Sequence, residues 1–138
     1  MARDLGKNLS RARIIIALIG LATSVYLALI ATFGISAACP AGQIINCDAV
    51  LGSAYARTFG VPNGYLGIAF FIAALALIYL KKTEPLVLVN AVGSGFVAYF
   101  VYAEYMIGSI CIYCTLVHIC TLLLLAISLY ELRGAKGT

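Results

Sequence analysis

Four runs of apolar residues, Ile14 to Ser36, Val61 to Leu80, Pro85 to Ile107 and Ile110 to Leu132, take up most of this 138-residue chain. Each is close to the roughly 20 residues a helix needs to cross the hydrocarbon of a bilayer. With 64% of its residues hydrophobic and 10% charged, the chain lies far from the composition of a soluble domain. The runs are too long for lipid-facing strands and lack their alternation, so a barrel is excluded. Lipid offers the backbone no hydrogen-bond partners, and each run must satisfy its own as a helix. Small residues at Gly93, Ser94 and Gly95 predict close helix contacts. The expected fold is an all-α integral membrane protein, one membrane domain over 1–138. It is a bundle of four transmembrane helices at about 14–36, 61–80, 85–107 and 110–132, with one sizeable loop at 37–60. No residues remain for a soluble domain, so function is confined to the bundle and that loop.

A cleaved signal sequence competes for the first run, which follows a basic leader and precedes Ser36-Ala37-Ala38 and a lipid-attachable Cys39. The run is longer than the usual signal core of about 7 to 15 residues, and its loss would remove a quarter of the bundle. Orientation follows from charge. Arg3, Lys7, Arg11, Arg13, Lys81, Lys82, Arg133 and Lys136 fall at one end of the expected bundle, and Arg57 alone falls at the other. The positive-inside rule makes the first end cytoplasmic, with both termini, and sends the loop outward from a multi-pass protein of the cell membrane. The net charge of +4 is thereby explained without a nucleic-acid partner.

That topology gathers Cys39, Cys47, Cys111 and Cys114 at the outer surface, where disulfides persist. Cys111-x-x-Cys114 opens the fourth run, where helix spacing makes the two thiols neighbours and the helix N-terminus favours a thiolate. On a helical wheel His118 lies about 20° from Cys111 and about 40° from Cys114, while Cys120 lies about 180° from Cys111. His118 therefore shares the face of the pair, either as a proton carrier or ligand contact or as a histidine bonded to a neighbouring helix. Cys120 reads as a small buried filler. In the loop, Pro40 and Gly42 predict a turn that brings Cys39 and Cys47 together, and 48–57 reads as a short helix or cap with Leu51 and Tyr55 facing the bundle. A mobile pair beside a fixed pair suits a thiol–disulfide relay from a soluble dithiol outside to an acceptor in the bundle, for which a lipid-soluble quinone is the obvious candidate. Two static disulfides, or a zinc site at Cys111, Cys114 and His118, are the competing readings; the seven-residue gap between Cys39 and Cys47 fits zinc poorly.

In order along the chain stand Cys39-x7-Cys47, Ser53 six residues later, Asn63 at the head of the second run in GVPNGYLG, and Cys111-x-x-Cys114. This combination, over residues 14–132, resembles the vitamin K epoxide reductase family, and within it the prokaryotic-type members without a fused thioredoxin-like domain. The resemblance implies a four-helix bundle around a quinone of the menaquinone, ubiquinone or vitamin K type, with Cys114 beside the quinone. It further implies that Cys111 exchanges with Cys47, that Cys39 meets the outside partner, that Asn63 bonds a quinone oxygen and that Ser53 shapes the lid. His118, on the active face, stands where animal members carry a tyrosine. The expected activity is therefore a membrane disulfide oxidase, passing electrons from a separate thioredoxin-like protein to a quinone. A quinone or epoxide reductase and a non-catalytic subunit with a stapled loop are the alternatives. Glu104, seven residues before Cys111, either assists proton balance or is an interfacial carboxylate facing water, and the second reading is preferred.

Overall fold

The first helix is longer than its apolar run, because the basic leader continues the helical register. In the structure, a computed structural model describing residues 1–40 and 42–137, α1 spans Ala2–Phe33. Ala41, inside the expected loop, and Thr138 lie outside the described residues. The helix stops three residues short of the expected Ser36 because Gly34 turns left-handed at φ 65°, and the amides of Gly34 and Ile35 both return to the Ile30 carbonyl.

The chain re-enters order at α2, Cys47–Leu51, followed by a 3-10 turn at Ala54–Ala56 and a hairpin of β1, Arg57–Thr58, with β2, Val61–Pro62. The strands are antiparallel, with Arg57 opposite Pro62 and Thr58 opposite Val61. Phe59 and Gly60 between them both have positive φ, as a two-residue turn matched to strand twist requires. The hairpin takes Val61 and Pro62 out of the expected second span. The helix α3 begins only at Asn63 and runs to Tyr79, 17 residues or about 25 Å. The two remaining helices are α4, Thr83–Ile107, and α5, Ile112–Lys136. Helices α1, α4 and α5 are long and apolar enough to cross a membrane; α3 is apolar but falls short of that length.

The fourth apolar run was expected to become helical at Ile110. Its helix starts two residues later because Ile110 is drawn into a parallel bridge with Ile45 of the loop.

The four long helices pack in a ring, with α1 against α3 and α5, and α4 against α3 and α5. At its centre Phe71, Leu86 and Leu124 are fully buried with Ala17 and Ala74. A Cβ on Gly20 would lie 2.2 Å from the Phe71 ring, so this glycine is the socket for that ring. Gly93 fulfils the expected close contact, against Phe70, whereas Gly95 faces open space and Ser94 bonds the Asn90 carbonyl of its own helix.

Arg13, counted among the orienting charges, turns inward to pair with Glu131 of α5 and is 8% exposed. Nearby on α5, Ser128 accepts from the Asn90 amide of α4 at 3.1 Å. These contacts tie α1, α4 and α5 together at the end remote from the loop.

The backbones of α1 and α3 approach closely at Gly64, where a Cβ would sit 2.5 Å from the Ala28 nitrogen. Backbone cannot rotate away as a side chain can. The substitution Gly64→Ala is therefore expected to destabilise the folded protein by about 1–3 kcal/mol, read as a lowered melting temperature in detergent, and a melting temperature equal to wild type would contradict this packing.

Candidate redox site

The loop is held to the bundle by a small set of polar contacts, each from a residue type suited to it. Asn46 caps α2, its side-chain oxygen accepting from the Ala49 amide at 3.1 Å. Asp48 in the first turn accepts from the Ser36 hydroxyl and from the Ala37 amide at 2.9 Å. Those bonds, the Ser36 bond foremost, hold the Asp48 carboxyl below the usual carboxylate value. Ala38 is gripped from both sides: its N–H donates to the Tyr26 hydroxyl at 3.0 Å, and its carbonyl accepts from the Tyr113 hydroxyl. The Tyr26 and Tyr113 rings pack with centroids 5.0 Å apart. Cys39 is the next residue, and the Gly42 amide closes a turn on the Ile45 carbonyl at 2.9 Å. Within this frame Cys39 and Cys47 form a disulfide with Cα atoms 6.1 Å apart, an ordinary separation.

Two backbone bonds carry the loop onto the start of the last helix. The Ile110 amide donates to Ile44 at 2.8 Å, and the Asn46 amide donates to Ile110 at 3.1 Å. Cys47 and Cys111 each follow directly on a residue of this bridge, and both are buried in one cluster with Val50, against which Cys39 and Cys114 pack. All four cysteines expected at the site are thus brought together.

Their local geometry differs from expectation in one respect. Cys111 is not on the helix surface; it is the N-cap of α5, and its sulfur accepts the Cys114 amide at 3.3 Å. The cause is the bridge at Ile110, which holds the preceding residue extended. Cys111 is fully buried, Cys114 is half-buried, and both are free thiols. The Cys111 thiol is held below its ordinary value, first by its hydrogen bond with the Cys114 thiol and then by the Cys114 and Tyr113 amides, which together outweigh burial.

Beneath the loop is an apolar cavity of about 470 Å³ between the helices, a size typical of small-molecule sites. Leu51 and Tyr55 roof it, as expected of residues facing the bundle, and Asn63, Glu104, Cys114 and His118 are among its polar groups, with Ser24 and Thr121 deeper on α1 and α5. The Asn63 amide donates to the Tyr55 carbonyl at 2.7 Å and accepts from the Thr58 hydroxyl at 2.7 Å, so it ties the hairpin to the roof. One of its two N–H donors is left over. The His118 ring is 7% exposed, stacks on Phe100 with centroids 6.1 Å apart, and makes no hydrogen bond among the described residues. The reading of His118 as a histidine bonded to a neighbouring helix therefore does not hold.

Ser53 stands apart from the cavity wall; its hydroxyl bonds the Val50 carbonyl at 2.7 Å and shapes the turn after α2. Cys120 packs in the central core, as a filler should.

Glu104 corrects the sequence reading most clearly. It faces inward at 8% exposure, and its carboxylate accepts the Cys111 amide at 3.3 Å. Seven residues back from Cys111, across the left-handed Gly108, it sits on the last turn of α4 and points at the head of α5. The signals available for it were that spacing and the rarity of a carboxylate so close to a span. Tyr26 and Tyr113 were also missed, since nothing in spacing alone pairs residues so far apart. Among the described residues no group of three or more His, Cys, Asp or Glu side chains is placed to hold a metal ion.

Residues 11–129 match the family model described as the vitamin K epoxide reductase family. No curated protein matches the chain.

If the Cys114 thiol stabilises the Cys111 thiolate, Cys114→Ala raises the pH at which Cys111 ionises. Alkylation of Cys111 near neutral pH is then expected to slow, measured by mass-shift labelling across a pH series. A faster reaction in the variant would reverse the sign and reject this account of the pair.

Proposed function

Because the chain belongs to the vitamin K epoxide reductase family, whose members carry out membrane redox chemistry with quinones, we propose that it is a membrane disulfide oxidase. It takes two electrons from a separate thioredoxin-like dithiol and delivers them to a quinone. The observation that carries this reading is the convergence of a loop disulfide and a free Cys-x-x-Cys pair in one buried cluster at the mouth of an apolar cavity. Stapling alone would leave no reason for a reduced pair beside an oxidised one. We further read the loop end as extracytoplasmic, from the basic residues at the other end, and α3 as the fourth crossing, short under its hairpin.

The steps balance as follows. A thiolate of the partner attacks the Cys39 sulfur, forming a mixed disulfide and releasing Cys47 as a thiolate. The partner's second thiol resolves that bond and leaves with a disulfide, so the loop becomes a dithiol. Cys47 then attacks the Cys111 sulfur of a Cys111–Cys114 disulfide, and Cys114 departs as the thiolate. Attack of Cys39 on Cys47 restores the loop disulfide and frees Cys111. The pairing in the structure, loop oxidised and Cys111 and Cys114 free, matches the state that this sequence would leave.

The cavity residues fit a quinone: the walls are apolar and aromatic, and Asn63 retains one N–H for a carbonyl oxygen. When bound, the quinone supplies the two-electron, two-proton sink that lets Cys111 and Cys114 close to a disulfide. Asn63 orients it, His118 lines the wall beside Phe100, and the roof of Leu51 and Tyr55 excludes water. Ser53 contributes through the roof, by fixing the turn after α2.

In lipid nanodiscs with a reduced thioredoxin-like partner and a short-chain quinone, Cys111→Ala and Cys114→Ala are each expected to lower quinol formation at least about 100-fold. In the Cys114→Ala protein the same exchange run in reverse, the Cys111 thiolate attacking Cys47 of the loop disulfide with Cys39 leaving as the thiolate, should yield a trappable Cys47–Cys111 disulfide. Undiminished turnover in either variant would sink the proposal.

A further inference from the structure

A carboxylate is costly to bury without a cation, and such a group in a membrane helix calls for a partner or a task. Among the described residues Glu104 has no cation. The ion pair found among the described residues, Arg13 with Glu131, lies at the far end of the bundle. One Glu104 oxygen accepts the Cys111 amide, and no described residue bonds the other. The side chain lines the same cavity as Cys114 and His118. A buried carboxylate with one oxygen anchored to the backbone of the reactive pair and the other unengaged at an apolar cavity is built to hold a proton.

We propose that Glu104 is the proton acceptor of the Cys111–Cys114 dithiol, an inference that rests on the disulfide-oxidase reading. Oxidising the pair breaks two S–H bonds and forms one S–S bond, releasing two electrons and two protons. The quinone takes up both electrons and both protons as it becomes quinol. Glu104 takes these protons one at a time from sulfur, yields each to the quinone's reduced oxygens and ends each cycle as it began. The anchored oxygen keeps the carboxylate at the head of α5 in both redox states, since the bond is to the Cys111 backbone and not to its sulfur.

The titratable groups that face Glu104 are few. From α5 they are Cys111, Cys114 and His118, and from the roof Tyr55; Cys47 is held in its disulfide, and the cavity residues of α1 and α3 carry no titratable side chain. The charge of Glu104 opposes formation of the Cys111 thiolate, which supplies a readout independent of turnover.

The decisive variant is Glu104→Gln, which keeps an oxygen for the Cys111 amide but cannot hold the proton. In reduced, quinone-free protein, alkylation of Cys111 should move to lower pH. In single-turnover reactions with saturating short-chain quinone, quinol formation should fall about 100-fold, the scale of a lost general base. The Cys39–Cys47 disulfide and the melting temperature should stay as in wild type. Turnover that falls with an unmoved alkylation profile, a profile that moves with turnover intact, or no change in either overturns the proposal and leaves Glu104 as a clamp on the amide. If the glutamine variant does not fold, Glu104→Asp decides. An altered pH–rate profile with wild-type thermal stability supports proton transfer, and an unaltered one overturns it. Wild-type protein that leaves quinone unreduced while its pair remains free defeats the disulfide-oxidase reading itself, and is recognised because it needs no substitution.

Discussion

Two backbone hydrogen bonds, from Ile110 to Ile44 and from Asn46 to Ile110, join parts of the chain more than 60 residues apart. Everything at the site depends on that short parallel bridge. It holds the residue before Cys111 extended, so Cys111 caps α5 rather than joining it, and it delivers Cys47 to the same buried cluster. The remaining loop contacts reinforce it from either flank. Asp48 gathers the exit of α1, and Tyr26 with Tyr113 clasps Ala38 beside Cys39. An open loop would pay a closure cost each time the two pairs met; here most of it is met in folding.

What was legible in the sequence is what hydropathy and spacing encode. Apolar runs announced the helices, and the spacing of Cys39, Cys47, Cys111 and Cys114 announced a shared site. Helix ends were less legible, since they are set by local events: Gly34 ended α1 early, and Pro62, locked in a hairpin strand, delayed α3. Least legible was the burial of polar side chains. Glu104 and Arg13 look like interface charges in one dimension, yet each turns inward to a partner on α5, because only the packed bundle decides which face of a helix is interior. Asn63 was expected at the site from the sequence, but its two bonds to Tyr55 and Thr58 required the hairpin to be seen.

The bundle is thus polar at both ends and apolar between. At one end lie the thiols, Asn63, Glu104 and His118 around the cavity; at the other, Arg13 with Glu131 and Asn90 with Ser128. A buried ion pair adds little net stability over apolar packing, and its best-attested use is to fix register. Here it fixes how α1 meets α5, the helix that carries Cys114 and His118.

Between these ends Phe71 fills the socket at Gly20, surrounded by Ala17, Ala74, Leu86 and Leu124 without a polar atom from any of their side chains. This layer is a dielectric wall across the middle of the molecule. No charged or polar side chain of this layer lies between the cavity and the Arg13–Glu131 pair. On the disulfide-oxidase reading, the cavity would then exchange its protons with the loop end and not with the end that holds Arg13 and Glu131.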